Sequence, residues 1–154
     1  MTGLNEPSSV RQLASEILSR VDSQKAYADI LLDRTLKAAR LSERDRALLT
    51  ELTYGTLRWR GSIDACLAQH LRRSLTDTDA FVRNLLRVTV YQLFFLDKIP
   101  DYAAVNEAVE LAKRRHGGRT GGFVNGVLRN LLRRKASAAK SESNDGSKIG
   151  RAHV

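Results

Sequence analysis

The sequence predicts an all-α protein, a bundle of about six to seven helices around one core. Apolar residues recur at helical three- and four-residue steps, capping-box pairs precede several of those runs, and period-two β-branched runs bounded by turn residues are missing. With 154 residues, 42% hydrophobic and 28% charged, the chain has the size and composition of one folded domain and is too apolar for a wholly disordered one.

The first helix is expected to start near Ser9, which has capping-box spacing to Gln12, and to bury Leu13, Ile17, Leu18 and Val21 before residues 22–25 break it. A second is expected over 26–39, with Ile30, Leu31 and Leu36 inward. Ser42, with Asp45 three residues on, caps the next. Leu48, Leu52, Gly55, Trp59, Ile63, Leu67 and Leu71 then form one stripe over two helices, with a bend predicted near Gly61. Gly55 on that stripe implies close approach of another helix.

Thr76 and Asp79 have capping-box spacing ahead of a strongly apolar segment carrying Phe81, Val82, Leu85, Leu86, Val88, Leu93 and Phe94, which predicts the central helix. Pro100 ends that unit, and Asp101 is expected to cap a helix burying Val105, Ala108, Val109 and Ala112. Gly117 and Gly118 stop it. Thr120 is expected to cap a last helix with Phe123, Val124, Val127, Leu128 and Leu131 inward, leaving Asn125, Arg129 and Arg133 stacked along the outward face. The domain is therefore expected over 9–135. Residues 136–154, rich in Ser, Ala, Lys and Gly, are expected to be a linker or disordered tail, native or vector-derived.

Charge is distributed unevenly. Residues 1–111 hold 15 Lys/Arg and 15 Asp/Glu, so the whole excess of +9 lies after residue 111. No acid occurs between Ala112 and Ala139, while Lys113, Arg114, Arg115, His116, Arg119, Arg129, Arg133, Arg134 and Lys135 do. A solvated helix face usually interleaves both signs to gain i, i+4 pairs, so this stretch predicts an anionic partner, with RNA phosphate the leading candidate. Phe123, the one aromatic nearby, is expected to be buried, so contacts are expected mainly to phosphate and RNA shape.

Other chemistry is sparse. Cys66 is the only cysteine, which excludes an internal disulfide and a thiolate-built zinc site and fits a reducing, cytoplasmic setting. Cys66 and His70 stand four apart, the right spacing on one helix to share a metal or to pair as nucleophile and base. Two ligands do not make a zinc site, however, and a lone helical cysteine usually packs in a core. Residues 117–122, Gly-Gly-Arg-Thr-Gly-Gly, lack the Lys-Ser/Thr of a P-loop and a preceding strand, and read as a turn whose amides are free to meet RNA phosphate. The longest apolar stretch, 90–96, is interrupted by Gln92 and too short to span a bilayer, so no membrane association is expected.

Three segments carry a family resemblance: SERDRALLTELTYGTLR at 42–58, AVNEAVELAK at 104–113 and FVNGVLR at 123–129. Together they resemble the NusB-like fold over about residues 9–135. Two branches share it: stand-alone transcription antitermination factors of the NusB type, and the N-terminal domain of RsmB (Sun/Fmu) type methyltransferases, which act on cytosine-5 of 16S rRNA. The tract Tyr54–Arg58, Arg129 at the end of the third segment and the opening ASEILSRV at 14–21 followed by AYA at 26–28 resemble the methyltransferase branch. The first helix holds only Arg11 and Arg20, where NusB tends to open arginine-rich.

The resemblance implies an RNA-binding accessory domain that helps a methyltransferase engage small-subunit rRNA. Lys113, Arg114, Arg115, Arg119, Arg129 and Arg133 are the expected phosphate contacts. Asn125 is expected either to serve between helices or to hydrogen-bond RNA. The resembling enzymes continue into a Rossmann-like domain with a glycine-rich S-adenosylmethionine loop and nucleophilic cysteines. None of these motifs occurs here, so no catalytic, cofactor-binding or metal-ligating residue is expected in this chain, and an excised or domain-sized unit is. The other partners implied are a C-terminal methyltransferase domain or, on the antitermination reading, boxA-like RNA with a ribosomal protein. A third possibility is a helical module whose basic patch docks on an acidic protein.

Overall fold

A computed structural model describes residues 9–145, with side chains placed as far as Ser141. It contains α1 Val10–Gln24, α2 Ala28–Ala38, α3 Glu43–Arg58, α4 Arg60–Ala68, α5 Ala80–Phe95, α6 Asp101–His116 and α7 Gly118–Asp145, plus a 3-10 turn at Leu75–Asp77. Among the described residues there is no strand, and no helix is long and apolar enough to cross a membrane.

The central helix is α5. It is buried on every side from Asn84 to Leu93, a pattern that only an axis surrounded by other helices produces, and α1, α3, α4, α6 and α7 all pack against it. Ala14, Ile17 and Leu18 of α1 and Leu49 and Leu52 of α3 join Leu85, Leu86 and Val88 in the core. Helices α6 and α7 form an antiparallel pair, joined at Gly117, whose φ of 95° is a conformation that favours glycine. Tyr91 lies against Gly55, and a β-carbon there would overlap its ring, so the close approach predicted at Gly55 is real.

Polar burial follows one rule: each buried charge is paired. Arg87, 6% exposed, meets Asp64 and Asp22, and Asp22 also receives Arg60, Arg83 and Asn84, tying α1, α4 and α5 together. Burial alone would raise the Asp22 carboxyl, but the hydrogen bond from Asn84, the charge of Arg87 and the hydrogen bonds from Arg83 and Arg87 outweigh it and hold Asp22 below its ordinary value.

Several expectations are corrected. Ile30 is 47% exposed, and Leu31 and Leu32 face the core, because α2 starts at Ala28 and contacts the bundle along a narrow stripe. On α3 Leu52 is buried as expected, but its partner one turn earlier is Leu49, with Leu48 at the margin. The α3–α4 break, expected near Gly61, falls two residues earlier at Trp59, whose backbone leaves helical geometry and whose indole stacks on Phe95 at 5.2 Å. Asp79 itself caps α5, accepting from the amides of Phe81 and Val82, while Ser74 caps the 3-10 turn that Thr76 sits in. Phe94 is 44% exposed, one step past the buried Leu93.

At the other junctions, Asp101 is the first residue of α6 behind Pro100, and its carboxylate serves Lys135 and caps nothing. Helix α7 begins at Gly118, which puts Thr120 inside its first turn. Its buried line is Gly121, Val124, Val127, Leu128 and Leu131, and Phe123, one residue off that line, is 40% exposed. Helix also continues past Lys135 to Asp145, where a linker was expected: Ala136, Ala138, Ala139 and Lys140 are strong helix formers that propagate α7 without a core to pack on. Residues 136–141 are exposed, and residues 146–154 of the expected tail lie outside the described residues.

Candidate nucleic-acid interface

Residues 113–119 close α6 and open α7, and all seven are exposed. The cations concentrated here do not lack acids, as their sequence neighbourhood implied, because distant elements supply some. Arg115 reaches Glu16 of α1 at 3.4 Å and lies over the Phe81 ring at 4.0 Å. His116 meets the α5 cap Asp79 at 3.1 Å, and Lys113 stands 3.8 Å from Glu110. Lys135 bridges Asp101 at 3.1 Å and the carbonyl of Leu93 at 2.5 Å, over the Phe94 ring. These four side chains partly join the α6–α7 pair to the bundle.

A second set has no acidic partner among the described residues: Arg114, Arg119, Arg129, Arg133 and Arg134. Arg129 donates to the Asn125 side-chain oxygen at 3.0 Å and Arg133 donates to Asn130. Asn125 thus holds an arginine of its own helix, and the inter-helix contact expected of it is not the hydrogen bond observed. From Arg119 to Arg133 the helix advances about 21 Å, long enough to present these guanidinium groups to several successive phosphates.

Facing this track is a feature the linear sequence concealed. The segment after α4 carries His70, Arg72 and Arg73, and it forms with Phe123, Gly126 and Asn130 of α7 a cleft of about 490 Å³. Phe123 therefore offers an aromatic edge inside a basic cleft, where burial was expected. Nothing stands close to where a side chain at Gly122 or Gly126 would project, so the α7 backbone is open to a ligand here. A contiguous cavity of about 300 Å³ is lined by His70, Asn130, Arg133, Arg134 and Ser137. Arg72 and Arg73 lie nearly sixty residues from Asn130 in sequence; their only signal was an adjacent pair of cations between two helices.

Burial shifts two further titratable groups, Cys66 and His70. Burial pushes the Cys66 thiol up, against an opposing pull from Arg134, which disfavours the thiolate. Burial and then the Arg134 charge push His70 down. Among the described residues no three His, Cys, Asp or Glu side chains cluster as metal ligands would.

The model of the NusB family matches residues 8–133. A Bacillus subtilis protein named "Probable ribosomal RNA small subunit methyltransferase B" is 42% identical over 125 residues, covering 81% of this chain and 28% of the relative. The chain thus spans less than a third of the length of that relative. The transcription antitermination protein NusB of Acetivibrio thermocellus is 28% identical over 135 residues, covering 87% of this chain and 93% of the relative. A crystal structure of antitermination factors NusB and NusE in complex with dsRNA superposes with a TM-score of 0.74 at 25% identity, covering 80% of this chain and 93% of that one.

Proposed function

The chain belongs to the NusB family, and on that premise we propose that it is an RNA-gripping domain of the kind that serves a small-subunit rRNA methyltransferase in the cytoplasm. The observation that carries this reading is the track of unpaired guanidinium groups along α7, facing a basic cleft that contains an exposed aromatic ring. Arg114, Arg119, Arg129 and Arg133 are the principal phosphate contacts, with Arg72, Arg73 and Arg134 beside them. Lys113 and Arg115, already engaged with Glu110 and Glu16, contribute less. Asn125 holds Arg129 in place for its contact.

The methyltransferase branch is favoured over the antitermination branch by the higher identity to the Bacillus subtilis protein and by the Tyr54–Arg58 tract. On this reading the chain binds RNA and carries no chemistry of its own. S-adenosylmethionine does not fit the glycine-rich segment 117–122, which runs from the α6–α7 junction at Gly117 into the first turn of α7 with no strand before it. Methyl transfer to 16S rRNA then belongs to a catalytic domain with which such a chain acts.

Anisotropy with a fluorescent 16S rRNA fragment tests the reading. If four to six phosphates are neutralised, log affinity falls against log salt with a slope of roughly −3 to −4, at about 0.7 per contact for single strands. Charge reversal at Arg129 and Arg133 is expected to weaken binding and flatten that slope. Salt-independent binding, or full affinity in the reversed variant, overturns it. The near-complete coverage of the Acetivibrio thermocellus NusB supports a second reading, in which boxA-like RNA and a ribosomal protein are the partners. Preference for boxA over the 16S fragment, together with capture of that protein, would select it.

A further inference from the structure

Among the features that the RNA reading does not absorb, the cavity at the C-terminal side of the cleft is the most specific. Its lining combines a histidine with two arginines, Arg133 and Arg134, an asparagine amide at Asn130 and the Ser137 hydroxyl, and no carboxylate borders it or the adjoining cleft. Two fixed cations without a counter-ion, flanked by neutral hydrogen-bonding groups, form a setting for a tetrahedral oxyanion. His70 is the one group there whose charge changes near neutral pH.

We propose that this cavity holds a backbone phosphate of bound RNA, and that His70 takes up a proton as the phosphate enters, so that RNA affinity rises as pH falls. The inference rests on the RNA reading above and assigns that surface a proton-linked contact. In the free protein the groups that share these cavities with His70 are cationic or neutral: Arg72, Arg73 and Thr78 of its own segment, and Asn130, Arg133, Arg134 and Ser137 on α7. Burial and the Arg134 charge therefore favour the neutral ring. A phosphate between the guanidinium groups reverses that balance. Its negative charge cancels the repulsion, and its oxygens accept from an imidazolium that now donates at both nitrogens. By linkage, a ligand that raises the proton affinity of a site binds tighter when the site is protonated.

The test is RNA affinity for the whole chain between pH 5.5 and 8 at fixed ionic strength, with the same 16S fragment, in the unaltered protein, His70→Gln and His116→Gln. The unaltered protein and His116→Gln are expected to bind about three- to tenfold tighter at pH 5.5 than at pH 7.5, the gain that one proton and up to one unit of pKa change allow. His70→Gln is expected to bind with little pH dependence. Equal pH dependence in His70→Gln and the unaltered protein overturns the proposal. NMR titration of the His70 ring with and without RNA gives a second readout, in which the midpoint must rise on binding; RNA that binds without moving it also overturns the proposal. If no RNA binds, titration with inorganic phosphate separates the two ideas. A raised His70 midpoint then keeps the anion cavity and removes the RNA reading, and an unmoved one removes both.

Discussion

Arg87 grips Asp64 through two parallel hydrogen bonds, Nε to Oδ1 at 2.8 Å and Nη2 to Oδ2 at 2.9 Å, which locks α5 to α4. Its remaining nitrogen reaches Asp22 of α1 at 2.8 Å, so one guanidinium joins three helices. Replacing Arg87 by Met strips Asp64 of its counter-charge and leaves Asp22 with Arg83, Arg60 and Asn84 alone. A loss of about 3 kcal/mol is expected, because removing one partner of a buried pair strands the other charge. Urea denaturation at pH 7 measures it.

The same network sets the acid limit of the fold. The folded-state pKa of Asp22 lies below its unfolded value of 3.8, so its contribution is complete above that value and is lost as pH falls through the lower, folded value. Asp22→Asn is expected to be less stable than the unaltered protein at pH 7, with a gap that narrows below pH 4. A stability difference that stayed constant down to pH 2 would contradict this assignment.

Legibility in the sequence followed the range of the interaction concerned. Helix order and the identity of α5 were readable because apolar spacing is local. The exposed Ile30, Phe94 and Phe123 each sit next to a buried position, and periodicity alone does not tell an edge from a face when the neighbouring helix covers only a narrow stripe. The basic cluster was visible, but its division was not. Glu16, Asp79 and Asp101, which meet some of its side chains, come from distant parts of the chain, and so do His70, Arg72 and Arg73, which extend it. What the sequence lacked was the contact map between α7 and the segment after α4.

Gly55→Ala is expected to destabilise the protein, against helix propensity. In a free helix the change would gain about 1 kcal/mol. Here the new methyl would overlap the Tyr91 ring, which cannot swing away because it stacks on Phe95 at 4.9 Å and its hydroxyl donates to Glu51 at 2.5 Å. Overpacking of this sort costs about 1–3 kcal/mol, so the sign of the net change in thermal midpoint decides whether Tyr91 is as fixed as its contacts imply.

Tyr91 also predicts an alkaline limit. Burial, with the hydrogen bond and the charge of Glu51, pushes its pKa up to about 12 against an opposing pull from Arg58. The raised folded value means that its contribution is complete below about pH 10, the unfolded value, and is lost as pH rises toward 12. Ultraviolet titration should show one of the four tyrosines ionising late or only on unfolding. In Tyr91→Phe that step should disappear.

Lys25 ends α1 in the left-handed conformation, with φ 52° and ψ 34°, the only described non-glycine residue with a positive φ. A side chain there carries a steric cost that glycine does not, partly offset by the greater freedom of glycine in the unfolded chain. Lys25→Gly is therefore expected to raise stability by about 0.5–1 kcal/mol, read as a higher urea midpoint with an unchanged slope. A lower midpoint would mean that the Lys25 side chain contributes more than its exposure suggests.

Phe123 separates shape-reading of phosphates from contact with bases. It is 40% exposed at the wall of the cleft, beside arginines and not within the core, so Phe123→Ala should leave the thermal midpoint nearly unchanged. If bases stack on the ring, RNA affinity falls by about 1–3 kcal/mol, roughly five- to 150-fold, and the salt slope stays the same because no charge is removed. If binding runs through phosphate alone, affinity and slope both stay put. An altered slope with unaltered affinity fits neither mode, because it would require the ring to position an arginine. Measuring slope and affinity on the same variant therefore identifies which physical contact the cleft makes, and single-stranded against duplex RNA of equal length checks it, since only unpaired bases leave their faces free to stack.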